Sequence, residues 1–222
     1  MFQINIHQQE YQYDYVTVID NILPKEFCEE LKLRVNQVID SNLVTLVNHN
    51  GFGNDIVKDK GGKYFHHIFK GPDIKKYLPE LNSFYHSILP LISLVTLKDA
   101  IVSPYEQSNI NIKAYPAGGG TLGEHYDTNG ITVLLFLTTN KEAPLRMQIP
   151  RSHPSKGKWI ENKNIYAKQG SLLIMKGREI LHDCEPTINE QKLSVVLNYY
   201  ERNDIWRPSQ FDDFVYNGVK PI

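Results

Sequence analysis

The sequence predicts a mainly β fold with flanking helices: a double-stranded β-helix, or jelly-roll barrel, buttressed by N-terminal helices. From about residue 100 to about residue 200, short apolar runs alternate with turn residues, as expected for a jelly roll. Before them, apolar residues recur at the three-residue and four-residue steps of helices. A length of 222 residues suits one domain. We expect helical support at about 20–98, a barrel core at about 99–201 and a C-terminal tail at 202–222.

The first part of the chain is predicted to be rich in helix after one strand. Pro24 suits the first turn of a helix, and the residues after it form one apolar stripe: Phe27, Leu31, Val35 and Val38. A second helical stretch is predicted near residues 73–89, where Pro79 and Pro90 interrupt or end it. The aromatic, acidic tail shows no periodicity, and we expect it to fold over the mouth of the barrel.

A polar, glycine-rich connection joins the two helical stretches at about residues 48–70. Loops of this length are often lids or binding loops, and the alternative is a disordered surface excursion. Within the connection, His66 and His67 would face opposite ways on a strand, and no carboxylate is spaced to join them. We therefore predict a structural or substrate-facing role for them, and no second metal site.

The barrel region contains a pattern that is typical of metal ligands. His125 and Asp127 lie two residues apart, so an extended strand points both side chains to one side. A pair of this kind is weak by itself, because about one is expected from the composition. His182, which follows a predicted buried strand, supplies a third ligand. Two imidazoles and one carboxylate can occupy one face of an octahedral metal and leave three positions open, which suits non-haem Fe(II).

A cation follows ten residues after the last of these histidines. Lys192 begins a predicted strand, and Ser194 lies on the same face two residues later. Together they can hold the far carboxylate of a dicarboxylate bound at the metal. The sequence therefore predicts a cosubstrate site beside the metal site.

These motifs resemble those of the Fe(II)/2-oxoglutarate-dependent dioxygenases, particularly their prolyl-hydroxylase-like branch. The shared pattern is His-x-Asp, a gap of about 55 residues, His, a Lys or Arg about ten residues later, and an apolar strand. The segment around Tyr115 and Pro116 is similar to the Tyr-Pro-Gly stretch of that branch, and the resemblance extends from about residue 13 to about residue 200. It implies that the Tyr115 hydroxyl contacts 2-oxoglutarate.

The resemblance also implies the chemistry. His125, Asp127 and His182 would be the catalytic metal ligands for Fe(II), while 2-oxoglutarate and O2 would be cosubstrates and ascorbate a candidate reductant. The expected reaction is hydroxylation of a C–H bond, with succinate and CO2 as coproducts. Halogenating relatives lack the carboxylate ligand, so Asp127 argues against halogenation.

The chain departs from the resemblance in the strand after the metal pair. It has Phe136 and Leu137 where relatives often place a tyrosine that helps to hold the cosubstrate. Thr132, Thr138 and Tyr166 are the candidates to replace it.

Composition limits the partners of the chain. A net charge of -1 and a pI near 6.7 give no basic footprint for nucleic acid. No apolar run is long enough to cross a bilayer, and two lone cysteines with no signal peptide favour a cytoplasmic location. The oligomeric state is left open.

Three interpretations of function follow. The first is hydroxylation of a small molecule, such as a free amino acid or a natural-product intermediate. The second is a prolyl hydroxylase acting on a peptide or protein, and the third is a cupin-type protein that binds a metal or ligand without turnover. Several arginines could anchor a substrate carboxylate: Arg146, Arg151, Arg178, Arg202 and Arg207.

Overall fold

The structure, a computed structural model, describes residues 2–208 and 210–218. The helices among them are α1 (Phe2–Gln9), α2 (Lys25–Asp40), α3 (Gly71–Tyr77), α4 (Pro79–Ser87), α5 (Leu89–Thr96) and α6 (Phe211–Asn217), and a π-helical turn (Glu10–Asp14) follows α1. The strands are β1 (Val16–Ile19), β2 (Thr45–Asn50), β3 (Asp59–Gly61), β4 (Lys63–Phe69), β5 (Ala100–Val102), β6 (Ile110–Tyr115), β7 (Leu122–His125), β8 (Ile131–Phe136), β9 (Asn140–His153), β10 (Gly157–Ala167), β11 (Leu172–Met175), β12 (Leu181–Cys184) and β13 (Lys192–Glu201). No helix among these residues is long and apolar enough to cross a membrane.

The strands form two antiparallel sheets. The larger sheet has the order β1-β11-β8-β13-β6-β4-β2, with β5 beside β13, and the smaller sheet has the order β10-β9-β12-β7-β3. The larger sheet pairs strands that are distant in the sequence, such as β1 with β11 and β6 with β13, as in a jelly roll. The architecture confirms the predicted mainly β fold with flanking helices.

Alternation along β13 separates the two faces of the larger sheet. Leu193, Val195 and Leu197 pack in one core with the helices, whereas Val196 packs in a second core between the sheets. Lys192 and Ser194 share the face of Val196, because successive side chains of a strand point to opposite sides. The sequence of β13 therefore places its polar residues inside the barrel.

The predicted helices are present with small changes at their ends. Pro24 precedes α2 as its N-terminal cap, and Leu31 and Val35 of the predicted stripe are fully buried. The second stretch is divided as its prolines indicate: Pro79 begins α4, and Pro90 lies in the first turn of α5. Pro lacks the N–H that a helix interior requires, so both prolines lie in the first turn of a helix. The sequence did not predict α1.

The expectation of a long loop at about residues 48–70 is wrong for most of that segment. β2 and β4 pair along their lengths in the larger sheet, and β3 pairs with β7 in the smaller one. Buried and less buried residues alternate from Tyr64 to Ile68, but the glycines and asparagines around them obscured this strand pattern. The remaining connection at 51–58 is held by the buried Asp59 carboxylate, which accepts hydrogen bonds from the amides of Phe52 and Gly53.

The tail folds over the barrel as predicted, but part of it forms a helix. Phe214 and Tyr216 of α6 are buried, and they pack with Tyr64 of β4. Residues 209 and 219–222, which fall within the predicted tail, lie outside the described residues.

Candidate metal centre

The smaller sheet brings the three predicted metal ligands together. His125 ends β7 and lies directly opposite His182 of β12, and Asp127 follows two residues after the strand. One ligand atom of each residue lies within 4.8 Å of the other two. The Nε2 atoms of His125 and His182 are each 3.6 Å from a carboxylate oxygen of Asp127. These distances allow one cation to contact all three side chains.

Backbone carbonyls orient both imidazoles. The Nδ1 atom of His125 lies 2.8 Å from the carbonyl oxygen of Gly123, and that of His182 lies 2.9 Å from the carbonyl oxygen of Ile180. A carbonyl can only accept, so each Nδ1 carries the proton and each Nε2 keeps its lone pair. Metal-binding histidines usually have such a partner for the second ring nitrogen. The donor set therefore fits a divalent metal.

Asp127 is held by the larger sheet and by the turn after β11. The Thr132 hydroxyl donates to the Asp127 carboxylate, and the side-chain amide of Asn129 donates to the Thr132 hydroxyl at 2.8 Å. The Asp127 amide donates to the carbonyl of Gly177 at 3.1 Å. A Cβ on Gly177 would lie 2.6 Å from the Asp127 carboxylate, so only glycine allows this approach. These contacts leave the carboxylate facing the histidines.

The protonation states also suit metal binding. Burial lowers the pKa of His182 to about 4, so its imidazole is neutral near pH 7. Burial opposes ionisation of Asp127, but the two histidines and the Thr132 hydroxyl outweigh it and hold its pKa well below the usual range. Neutral imidazole and ionised carboxylate are the forms that bind metals.

An inner cavity, defined as the space beside this triad between the sheets, contains the three predicted cosubstrate residues. Its walls include Tyr115, Lys192 and Ser194 together with apolar Leu134 and Phe136. Lys192 pairs in register with Tyr115 across β13 and β6, and its amine lies 5.2 Å from the centre of the Tyr115 ring. All six site residues predicted from the sequence thus line one cavity.

The candidates for the missing second anchor have other positions. Thr132 lines the inner cavity but donates its hydroxyl to Asp127. Thr138 is buried at the sheet end, where its hydroxyl accepts a hydrogen bond from the Leu193 amide. Tyr166 is 51% exposed on β10. Thr138 and Tyr166 are therefore not part of the inner cavity.

An outer cavity continues from the inner one to the barrel mouth. His125, Asp127 and Lys113 line both cavities, so the metal site forms their boundary. Aromatic side chains of β4, β13 and α6 line the outer cavity: Tyr64, Tyr200, Phe214 and Tyr216. The sequence reasoning missed Lys113, although its position two residues before Tyr115 places both on one strand face.

The five arginines suggested as substrate anchors are engaged elsewhere. Each forms an ion pair with a carboxylate of the protein: Arg146 with Asp183, Arg151 with Asp14, Arg178 with Asp204, Arg202 with Asp99 and Arg207 with Asp212. Arg207 also lines the outer cavity, but its guanidinium additionally donates to the Ser108 hydroxyl. These arginines therefore have little capacity left to bind an anion.

Comparison with known proteins identifies the fold. No model of a protein family and no curated protein sequence matches the chain. Among solved structures, a non-haem α-ketoglutarate-dependent epimerase of nogalamycin biosynthesis, SnoN, shows 12% identity and a TM-score of 0.69, covering 100% of this chain and 93% of its own. A prolyl-4-hydroxylase from Pseudomonas putida shows 12% identity and a TM-score of 0.61, covering 90% and 100%.

A third structure is a prolyl hydroxylase from Trichoplax adhaerens in complex with a hypoxia-inducible-factor peptide. It shows 16% identity and a TM-score of 0.62, and the match covers 91% of each chain. The epimerase has also been solved with Fe3+, α-ketoglutarate and a nogalamycin compound. The predicted resemblance is thus confirmed at the level of the fold: this chain has the double-stranded β-helix of the non-haem iron, 2-oxoglutarate-dependent oxygenases.

Proposed function

We propose that this protein is an Fe(II)- and 2-oxoglutarate-dependent oxygenase that hydroxylates a C–H bond of a small molecule. The observation that carries the proposal is the buried Lys192 beside the His125, Asp127 and His182 triad. Its amine donates to the carbonyl oxygen of Ala143 at 2.8 Å, and it forms no ion pair with any residue that the structure describes. A buried charge without a counter-ion is costly, so the cavity is suited to an anion.

The inner cavity fits a short dicarboxylate. Lys192 and the Ser194 hydroxyl would bind its far carboxylate, and the apolar side chains between them and the triad would contact its methylene groups. Burial holds the pKa of Tyr115 well above its usual range, so its phenol stays a hydrogen-bond donor. The near end of the cosubstrate would reach the metal.

Each predicted ligand has a defined task. His125, Asp127 and His182 would hold the iron on one side, which leaves its other positions for the cosubstrate and dioxygen. Iron bound there supplies the oxidation of a C–H bond, coupled to the decarboxylation of 2-oxoglutarate to succinate. The protein residues position the reactants and exclude water, and no side chain is needed as a general base.

The enclosure of the outer cavity supports a small substrate. Phe214 and Tyr216 of α6 line the outer cavity together with Tyr64, so aromatic side chains surround the approach to the metal site. The solved structures of the same fold include enzymes of nogalamycin biosynthesis and prolyl hydroxylases. Hydroxylation of a prolyl residue in a peptide is therefore the second candidate.

Succinate formation tests the proposal. Wild-type protein with Fe(II), 2-oxoglutarate and O2 should form succinate faster when its substrate is added, and His182→Ala should not. Under ¹⁸O2, one labelled oxygen should enter succinate and the other the hydroxylated product. Comparing succinate formation with free amino acids and with proline-containing peptides would distinguish the two substrate classes. A protein that binds 2-oxoglutarate and metal but yields no succinate with any of them would instead be the non-catalytic, cupin-type binding protein.

A further inference from the structure

Lys113 stands at the boundary between the two cavities, next to the metal site. It lies on β6, is half-buried, and faces Ser194 across the pairing of β6 with β13. It lines both cavities; burial lowers the pKa of its amine, and the nearby Asp127 carboxylate opposes that shift. Within residues 2–208 and 210–218, it has no hydrogen-bond or ion-pair partner for its amine. An amine offers three donors, so this one can bind an incoming ligand.

Asn111 provides a second unused polar group on the same strand face. Its side chain is 5% exposed and lines the outer cavity only. Its Oδ1 atom is buried and accepts no hydrogen bond from any part of the chain that the structure covers. Leaving a buried acceptor unpaired destabilises the protein. A ligand with an N–H or O–H group would remove this cost.

The other cations near the mouth do not offer this capacity. Arg207 donates to Asp212 and Ser108, and Arg178 donates to Asp204 and to the carbonyl oxygen of Thr128. An arginine already held by a carboxylate gains little from a second anion. Lys113 is therefore the cation best placed to receive an acid in the outer cavity.

The remaining walls define the rest of the ligand. Tyr64, Tyr200, Phe214 and Tyr216 surround the polar pair with buried aromatic rings. Aromatic rings bind apolar groups through large contact areas. The outer cavity thus combines an anion-binding amine, a hydrogen-bond acceptor and an apolar wall.

We propose that the primary substrate is a free α-amino acid with an apolar or aromatic side chain. Lys113 binds its carboxylate, the Asn111 Oδ1 atom accepts from its ammonium group, and the aromatic wall contacts its side chain. This inference rests on the proposed function, because the substrate must lie beside the metal that oxidises it. Lys113 and Asn111 act as specificity-determining residues and leave the chemistry to the metal site.

The position of Lys192 separates this role from that of a cosubstrate anchor. Lys192 and Tyr115 lie one inward-facing position deeper than Lys113, and Asn111 lies one position nearer the mouth. Lys192 lines the inner cavity but not the outer one. The deeper lysine is thus available to 2-oxoglutarate, and the one at the boundary to the substrate.

Binding measurements without turnover test the proposal. Protein loaded with Mn(II) and 2-oxoglutarate would be titrated with each of the proteinogenic L-amino acids. The tightest binder would then be compared with its carboxamide, which lacks the carboxylate, and with its deaminated analogue, which lacks the ammonium. The variants are Lys113→Met, Lys113→Arg and Asn111→Leu. Lys158→Met, at an exposed position on β10, is the matched control.

We expect an apolar or aromatic amino acid to bind, and Lys113→Met to weaken it roughly 10-fold to 150-fold, the value of a charge-assisted contact. In wild-type protein, the carboxamide should bind more weakly than the amino acid by the same factor. In Lys113→Met, the amino acid and its carboxamide should bind with equal affinity. Lys113→Arg should retain part of the affinity. Asn111→Leu should weaken the amino acid but not its deaminated analogue, and Lys158→Met should change nothing.

Three results would overturn the proposal: no amino acid binds, the acid and its carboxamide bind equally, or Lys113→Met loses affinity for 2-oxoglutarate itself. The last result would make Lys113 a cosubstrate anchor. Failure of the proposed function is a separate result: wild-type protein would then fail to bind 2-oxoglutarate in the presence of Mn(II), or would bind it but form no succinate with Fe(II) and O2 whichever amino acid is added.

Discussion

The inner and outer cavities meet at the metal site but are built differently. Two antiparallel sheets form the inner cavity, where the functional residues lie at fixed offsets on neighbouring strands, as Lys192 and Tyr115 do. The outer cavity is assembled from separate parts of the chain, including β4 and the C-terminal helix α6. Strand register fixes the first arrangement, while tertiary packing decides the second. The inner cavity is therefore suited to an invariant reaction, and the outer one to the choice of substrate.

Loss of a metal ligand should have the largest effect, because it removes the part common to both cavities. We expect Asp127→Ala to abolish succinate formation and to weaken Mn(II) binding strongly, while the fold is retained, since the core is apolar and lies elsewhere. Asp183→Asn is the control, because Asp183 is adjacent to His182 but pairs with Arg146 outside the cavity. Activity of Asp127→Ala equal to wild type would show that the triad is assigned wrongly.

Lys192→Met should affect the inner cavity alone. The loss of a charge-assisted contact should weaken 2-oxoglutarate binding by roughly 10-fold to 150-fold, with Mn(II) binding unchanged. Ser194→Ala should cost less, because a hydroxyl contributes a neutral hydrogen bond. Isothermal titration with each ligand in turn measures both effects. If the affinity for 2-oxoglutarate is unchanged in Lys192→Met, another cation holds the far carboxylate, and Lys113 is the first to examine.

Thr132→Val should weaken the metal site without removing a ligand. The substitution keeps the shape of the side chain but deletes the hydroxyl that donates to Asp127. Removing a group that orients a metal ligand typically costs about 10-fold to 100-fold in metal affinity. Thr138→Val is the matched control, since it should lower the free energy of unfolding by about 1–3 kcal/mol through the unpaired Leu193 amide. Equal metal affinity in the two variants would contradict the role of Thr132.

Phe214→Leu should have the smallest effect and should reach only the outer cavity. The smaller side chain leaves space between α6 and Tyr64, so we expect the KM for the primary substrate to rise several-fold. The affinity for 2-oxoglutarate should not change, and the cost in stability should be about 1–3 kcal/mol. A larger change for 2-oxoglutarate than for substrate would mean that α6 supports the inner cavity, and the distinction between the cavities would fail.

The difference in construction between the inner and outer cavities explains which site residues the sequence could predict. His125, Asp127, His182, Lys192 and Ser194 are recognisable because their spacing reflects strand periodicity and a known order of motifs. Lys113 carries no such signal, since a lysine in a strand is commonly a solvated residue. Its position beside the metal site depends on the placement of β6 between β13 and β4 in the larger sheet.

The first half of the chain shows a second reason for failure. β4 has an alternating burial pattern, but the pattern is short and is flanked by glycines and asparagines that suggest a loop. Its pairing partners are β2, close in the chain, and β6, more than 40 residues away in the sequence. Pairing over such a distance, which local propensity does not encode, made this segment a strand.

The two carbonyl groups that orient the metal-binding imidazoles have a consequence for engineering the protein. They belong to the main chain at Gly123 and Ile180, so no side-chain substitution can delete them. A Cβ on Gly123 would collide with the carbonyl oxygen of Gly61, and the Ile180 side chain is fully buried in the core between the sheets, so packing restricts both positions. Libraries that randomise the aromatic residues of the outer cavity can therefore explore new substrates while the tautomers of both histidines are inherited unchanged.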